Sequence, residues 1–138
     1  MSENKTLDGK QFVIFRLGKE EYGIDIQKVT TIERMMTIAR VPKTPEVIKG
    51  VINLRGEIIP IIDLRTKFRL PAVVETEDTR IIIIKIEDVS VGIIVDSVAE
   101  VLLLQEDSIE NVTNFNSDLS MDYILGVGKV ENRIVTLL

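Results

Sequence analysis

The sequence predicts a mainly β protein built from two small barrels, and three observations carry that expectation. Of 138 residues, 37 are Ile or Val, while Phe, Tyr and Trp together number six. β-Branched side chains at this density favour a pleated surface over a helix. The runs 12–17 and 81–86 are apolar almost throughout, as strands buried on both faces are. Finally, the chain repeats itself. FVIFRLGKEEYGIDIQKVTTI (12–32) lies without gaps on IIIIKIEDVSVGIIVDSVAEV (81–101), an offset of 69, and GVINLRGEIIPII (50–62) lies on GVGKVENRIVTLL (126–138), an offset of 76. Two blocks in one order at nearly one offset describe a doubled unit of roughly 70 residues.

The elements follow in order. Residues 1–10 are polar and expected to be flexible. A strand over 12–17, a tight turn at Gly18–Glu21 and a second strand from Tyr22 open the first repeat; 81–86, Glu87–Ser90 and a strand from Val91 open the second. In DIQKVTTIERM, Ile26, Val29, Ile32 and Glu33 recur at three- and four-residue spacing, which predicts a short helical turn with one apolar face. Pro42 and Pro45 punctuate a loop. VINLRGEIIPIID then reads as a hairpin turning at Arg55-Gly56, with Gly56 supplying a positive φ. Pro60 cannot donate to a ladder, so its strand is expected at an edge or bulged there. Residues 66–79 connect the repeats, and 105–122 read as a long polar surface loop.

Each repeat has the size of an SH3-like or OB-like barrel. Alone it is marginal, because so small a domain buries too little surface. Two lobes sharing an apolar seam are therefore expected, with a flanking groove as the natural ligand site.

Little reactive chemistry is available. There is no Cys and no His, which removes disulfides, thiolate nucleophiles, common zinc sites and Ser–His triads. A net charge of −5 speaks against nucleic acid as a partner, since phosphate recognition needs a basic surface. The longest apolar runs, such as Ile81–Ile84, are far below the ~20 residues of a membrane helix, and the polar start predicts a cytoplasmic protein. Asp63 and Asp96 are the best candidates for a carboxylate pair, but each sits where a turn or helix cap is expected. The acidic clusters lack EF-hand spacing, and the glycines form neither a P-loop nor a dinucleotide fingerprint. Met35-Met36 is read as core or as an adaptable contact. No cofactor, metal or enzymatic activity is expected.

Arg55 stands out. Its repeat counterpart is Glu131, so the fold does not need arginine at that turn, and a planar guanidinium suits a carboxylate or carbonyl group on a partner. Val29 and Val98 occupy matched repeat positions that are either core or the two flanks of an inter-lobe groove.

At these residues the chain resembles the CheW family of bacterial chemotaxis adaptors. EEYGIDIQKV, VPKTPEVIKGVINLRGEIIPIIDLRTKF, VGIIVDSVAEVL and YILGVGKVENRIVTLL follow that family's order and spacing from about residue 11 to the end. The resemblance implies two intertwined five-stranded SH3-like barrels in a single domain over 11–138. Its lobes are expected at roughly 20–80 and 81–138, with strand 11–17 exchanged between them. It implies a non-catalytic adaptor that binds the regulatory domain of the histidine kinase CheA and the cytoplasmic hairpin tip of methyl-accepting receptors, meeting the membrane only through those receptors. The implied receptor positions are Arg55, Val29, Ile32, Gly50, Val98 and Val101. The kinase surface is expected around a strand at 37–41 and the hairpin 51–62, at Ile38, Val41, Glu57 and Ile59. Where many relatives carry glutamate in a V-x-E-I segment, this chain has Thr31, with Glu33 two residues later. Members usually continue past the position of Leu138 into a polar or helical tail. The alternative is that the same module serves as a regulatory part of a larger signalling protein.

Overall fold

The computed structural model describes residues 9–110 and 124–138. Strand β1 (Lys10–Leu17) turns at Gly18-Lys19 into β2 (Glu20–Asp25), with Gly18 at φ 62. A three-residue 3-10 turn, Ile26–Lys28, leads to β3 (Val29–Arg34). The hairpin β4 (Ile48–Leu54) and β5 (Glu57–Asp63) follows, then the single-turn helix α1 (Leu64–Lys67). In the second repeat, β6 (Arg80–Ile86) turns into β7 (Val89–Val95), and β8 (Ser97–Leu104) takes the place of β3. A 3-10 turn (Glu106–Ser108), β9 (Ile109–Glu110), and the hairpin β10 (Gly126–Val130) and β11 (Arg133–Leu137) complete the chain. Most of the surface loop expected over 105–122 lies outside the described residues, as do residues 1–8.

The helical turn expected over 26–33 is confined to Ile26–Lys28; Val29–Arg34 is a strand. Spacing of three cannot separate one helical face from a short 3-10 turn entering a strand, and pairing with the apolar β6 settles the matter. Val29 lies opposite Ile84 and Glu33 opposite Ile81, with a bulge between Val29 and Thr31.

Two sheets form, ordered β8-β1-β2-β11-β10-β9 and β3-β6-β7-β5-β4. Each combines the opening hairpin of one repeat with the later strands of the other. The chain accordingly divides into a discontinuous unit, up to Ile26 and from Ala99, and a contiguous unit, Gln27–Val98. These boundaries differ from lobes meeting at residue 80 with only strand 11–17 exchanged. Both strands β1 and β2 go with the C-terminal strands, because β2 is bound on one side to β1 and on the other to β11.

The exchange is written in the repeat. β2 runs parallel to β11 with Gly23 opposite Leu137, and β7 parallel to β5 with Gly92 opposite Ile61. Across the antiparallel hairpins, Gly23 faces Ile14 and Gly92 faces Ile83. A Cβ on Gly92 would fall 2.6 Å from Ile61 Cδ1, and one on Gly23 would fall 3.0 Å from Leu137 Cδ2. The repeated glycine therefore makes room for two large side chains. Matched positions also fill the two cores: Phe12, Ile14, Val135 and Leu137 in one, Ile81, Ile83, Ile59 and Ile61 in the other. Each such side chain contributes roughly 1.5–3 kcal/mol by leaving water. One match is compensated. Ile52 fills its core, while its counterpart Gly128 leaves space that Leu104 occupies, with Leu104 Cδ1 2.8 Å from where a Cβ would stand.

Pro60 lies in β5, which is interior to its sheet rather than at an edge. It is tolerated by its phase. Val51, its partner on β4, directs both backbone groups outward to Ala39 at 2.9 Å, so Val51 and Pro60 form a non-hydrogen-bonded pair. The missing N–H faces away from β4, just before the parallel ladder to β7 begins at Ile61.

Candidate interaction site

Arg55 and Gly56 make the two-residue turn between β4 and β5, with φ 52 and 89. Both are positive, as a type I′ hairpin requires, and Gly56 N–H donates to Asn53 Oδ1 at 2.9 Å. Glycine adopts this conformation freely, whereas an L side chain is disfavoured by about 1 kcal/mol. Glu131 has φ 54 at the matched turn, so both repeats keep the left-handed turn and only one uses it to present a cation.

The side chain of Arg55 is 75% exposed, and its Nη2 lies 3.8 Å from Glu33 Oε2. Glu33 is 17% exposed and accepts a hydrogen bond from Thr31 Oγ1 at 2.9 Å. Thr31 and Glu33 share a face of β3 because successive strand residues alternate. Thr31 thus holds the Glu33 carboxylate on the side of the strand that faces Arg55.

The remaining expected positions divide. Ile32 points to the opposite face from Val29; it is exposed and Val29 is half-buried. Val101 is exposed on β8 and Val98 half-buried. Gly50 is buried and has no surface to offer. Its φ is 154, and a Cβ would meet the Ala39 carbonyl oxygen at 2.3 Å, so this glycine lets segment 35–41 pass close to β4. Ile59 is also corrected. It is 1% exposed in the core, because the pleat turns it inward, and Ile58 at 61% is the side chain on show. Segment 37–41 is not a strand; only Ala39 bridges to Val51. Within it Val41 is exposed and Ile38 packs on the core, while Glu57 is exposed.

Asp63 and Asp96 come close enough to line one cleft of about 100 Å³, together with Lys49, Met35 and Thr79. Neither is a free acid–base group. Asp63 caps α1 by accepting from Arg65 N–H at 3.0 Å and Thr66 Oγ1 at 3.2 Å. Asp96 is gripped by Arg65 through Nε and Nη2. Arg65 also donates through Nη1 to the Pro71 carbonyl at 2.7 Å. No simple spacing rule pairs Arg65 with Asp96, which is why the clamp was not visible in the sequence.

The discontinuous unit has its own charge network. Arg133 on β11 donates through Nε to Glu21 Oε1 at 2.9 Å and meets Glu100 Oε2 at 2.8 Å, while Arg16 Nη2 lies 3.4 Å from Glu21. The hydrogen bond from Arg133 holds the Glu21 carboxyl below its ordinary value against the opposing effect of burial, and the charges of Arg133 and Arg16 add to it. Arg133 is raised in turn, first by its hydrogen bond to Glu21.

No helix among the described residues is long and apolar enough to cross a membrane. Two β-rich units, one of them presenting an arginine on a left-handed turn, define a protein whose strands and turns are its main surfaces. Comparison with known proteins says which kind. The CheW-like domain family matches residues 11–138. The chemotaxis protein CheW of Klebsiella aerogenes is 44% identical over 129 residues, covering 94% of this chain and 78% of that protein. That of Bacillus subtilis is 38% identical over 133 residues, covering 94% and 83%. The crystal structure of the scaffolding protein TtCheW from Thermoanaerobacter tengcongensis superposes with a TM-score of 0.86 at 38% identity, over 94% of this chain and 88% of that one. The chain belongs to the CheW family, as a scaffold of chemotaxis signalling. Chemotaxis protein CheV3 of Helicobacter pylori is 29% identical over 113 residues, covering 80% of this chain and 36% of that protein.

Proposed function

We propose that this chain couples methyl-accepting chemotaxis receptors to the histidine kinase CheA on the cytoplasmic side of the membrane, without catalysing a reaction itself. The observation that carries the receptor half is the Arg55–Glu33 pair. A strained turn presents a largely exposed guanidinium, and a nearly buried carboxylate steadies it. Such a group offers five donors to the backbone carbonyls or carboxylates of a helical hairpin tip. Ile32 and Val101 supply exposed apolar area to receptor contact, each on its own unit. For the kinase, Ile58, Glu57 and Val41 are exposed positions on the β4–β5 hairpin and the preceding segment that can be offered to a partner. The non-catalytic reading is supported by Asp63 and Asp96, both engaged by Arg65.

Co-sedimentation of the chain with receptor-bearing membranes and kinase tests this. Wild type is expected in the pellet with both partners, and Arg55→Ala is expected to lose receptor while still binding kinase. Unchanged receptor pull-down by Arg55→Ala, or loss of its fold, defeats the role assigned to Arg55.

A further inference from the structure

The connection between β5 and β6 is tied at both ends and bare in the middle. At its start, Leu70 N–H donates to the Arg65 carbonyl at 2.7 Å, and Arg65 Nη1 donates to the Pro71 carbonyl at 2.7 Å. At its end, Thr76 N–H donates to Thr79 Oγ1 at 2.8 Å, and Thr79 N–H returns to the Thr76 carbonyl at 3.2 Å, with Thr79 buried. Between these anchors, no backbone group of residues 72–75 meets a partner among the described residues. Val73 is 56% exposed and Val74 86%. Clamped ends, free backbone groups and two β-branched side chains on show are what a strand in search of a neighbour presents.

The charges identify that neighbour. Exposed Arg69 precedes the apolar stretch Leu70–Val74, and exposed Glu75, Glu77 and Asp78 follow it. An order of cation, apolar and anion complements itself when a second copy runs antiparallel. With Val73 opposite Val73, Arg69 of each copy faces Glu77 of the other. Parallel pairing would set like charge on like.

We propose that this strap joins two copies of the chain, antiparallel and centred on Val73, in a weak isologous contact. In that register Val73 takes the non-hydrogen-bonded position, where facing side chains are closest, and Ala72 of each copy exchanges bonds with Val74 of the other. The missing N–H of Pro71 then points away from the partner. The ladder ends at Leu70 and Thr76, whose N–H groups are already used within their own chain. So short a contact lies well below the roughly 1,600 Å² of a standard interface, in the class of weak, transient associations. The inference stands on the strap alone and does not depend on the receptor and kinase reading.

Because the chain contains no cysteine, a single introduced thiol reports the contact without background. Under mild oxidation Val73→Cys is expected to form a disulfide dimer at least about tenfold faster than Ile134→Cys, an exposed site on the other unit. In sedimentation, wild type at millimolar concentration is expected to move from 15.6 kDa towards twice that mass. Arg69→Glu should weaken this about tenfold, and Arg69→Glu combined with Glu77→Arg should restore it. Equal cross-linking at residues 73 and 134, failure of the double variant to restore association, or a strictly monomeric wild type overturns the proposal. A monomer whose residue 73 cross-links only to added kinase or receptor fragment also overturns it, and gives the strap to that partner instead.

Discussion

Arg55 and Glu33 meet at 3.8 Å, one from the turn of the β4–β5 hairpin and the other from β3, at the two ends of the five-stranded order β3-β6-β7-β5-β4. With the Ala39–Val51 bridge, this pair draws strands together that share no ladder. The ion pair itself is weak, since exposed pairs are worth about 0–1 kcal/mol. Its consequence is orientation. An arginine left to itself samples many rotamers, and the carboxylate at Glu33 limits them.

Glu33→Gln is therefore expected to reduce receptor co-sedimentation several-fold while changing the melting temperature by less than about 3 °C. Adding Thr31→Glu, which returns a carboxylate to the position where the family pattern carries it, should recover most of the loss. Failure of that second substitution to recover binding would show that Glu33 acts other than by steadying Arg55.

Glycine substitutions should rank by what a new Cβ meets. Gly50→Ala combines a disfavoured φ with a carbonyl oxygen at 2.3 Å and is expected to be the most damaging, at about 3 kcal/mol or more. Gly92→Ala, 2.6 Å from Ile61 Cδ1, should cost about 2 kcal/mol, and Gly23→Ala less, since its nearest contact is 3.0 Å. Gly56→Ala meets nothing within 4 Å and should cost about 1 kcal/mol from its φ of 89 alone. Urea denaturation of the four variants checks the order.

The neighbours Ile58 and Ile59 should separate binding from stability. Ile59→Ala opens a cavity in the core and is expected to cost about 2–4 kcal/mol. Ile58→Ala, at a side chain 61% exposed, should leave stability within about 0.5 kcal/mol and weaken kinase binding measured by calorimetry. Unaltered kinase affinity in Ile58→Ala would move the kinase surface away from this hairpin.

Acid should loosen the discontinuous unit through Glu21. Its carboxyl is lowered in the folded chain from the ordinary value of 4.5, chiefly by the hydrogen bond from Arg133. A depressed native value means that the network stabilises fully above the unfolded value and that this contribution is lost as pH falls through the native one. Arg133→Ala should cost about 1–2 kcal/mol at neutral pH and flatten the stability profile below pH 4.5. An unchanged slope in the variant would assign the acid sensitivity to other carboxylates.

Much of this protein is local in origin, and the sequence by itself determined it. Alternating and continuous apolar runs set the strands, since Ile and Val are stiff and suit a pleat. The paired Gly23 and Gly92 announced two equivalent hairpins, and the N-L-R-G turn pointed to Arg55 before any contact was known. The tertiary structure decided what depends on partners far along the chain. Either opening hairpin could satisfy either set of later strands as far as the repeat shows, and the parallel ladders of Gly23 with Leu137 and Gly92 with Ile61 select the exchange. Val29–Arg34 became a strand because β6 was there to pair with it. Strand phase, set by register, buried Ile59 and exposed Ile58. The same register put Thr31 and Glu33 on one face of β3, and Glu33 within reach of Arg55. Each of these outcomes joins residues many positions apart, and distance along the chain carries no mark of such pairing until the strands have met.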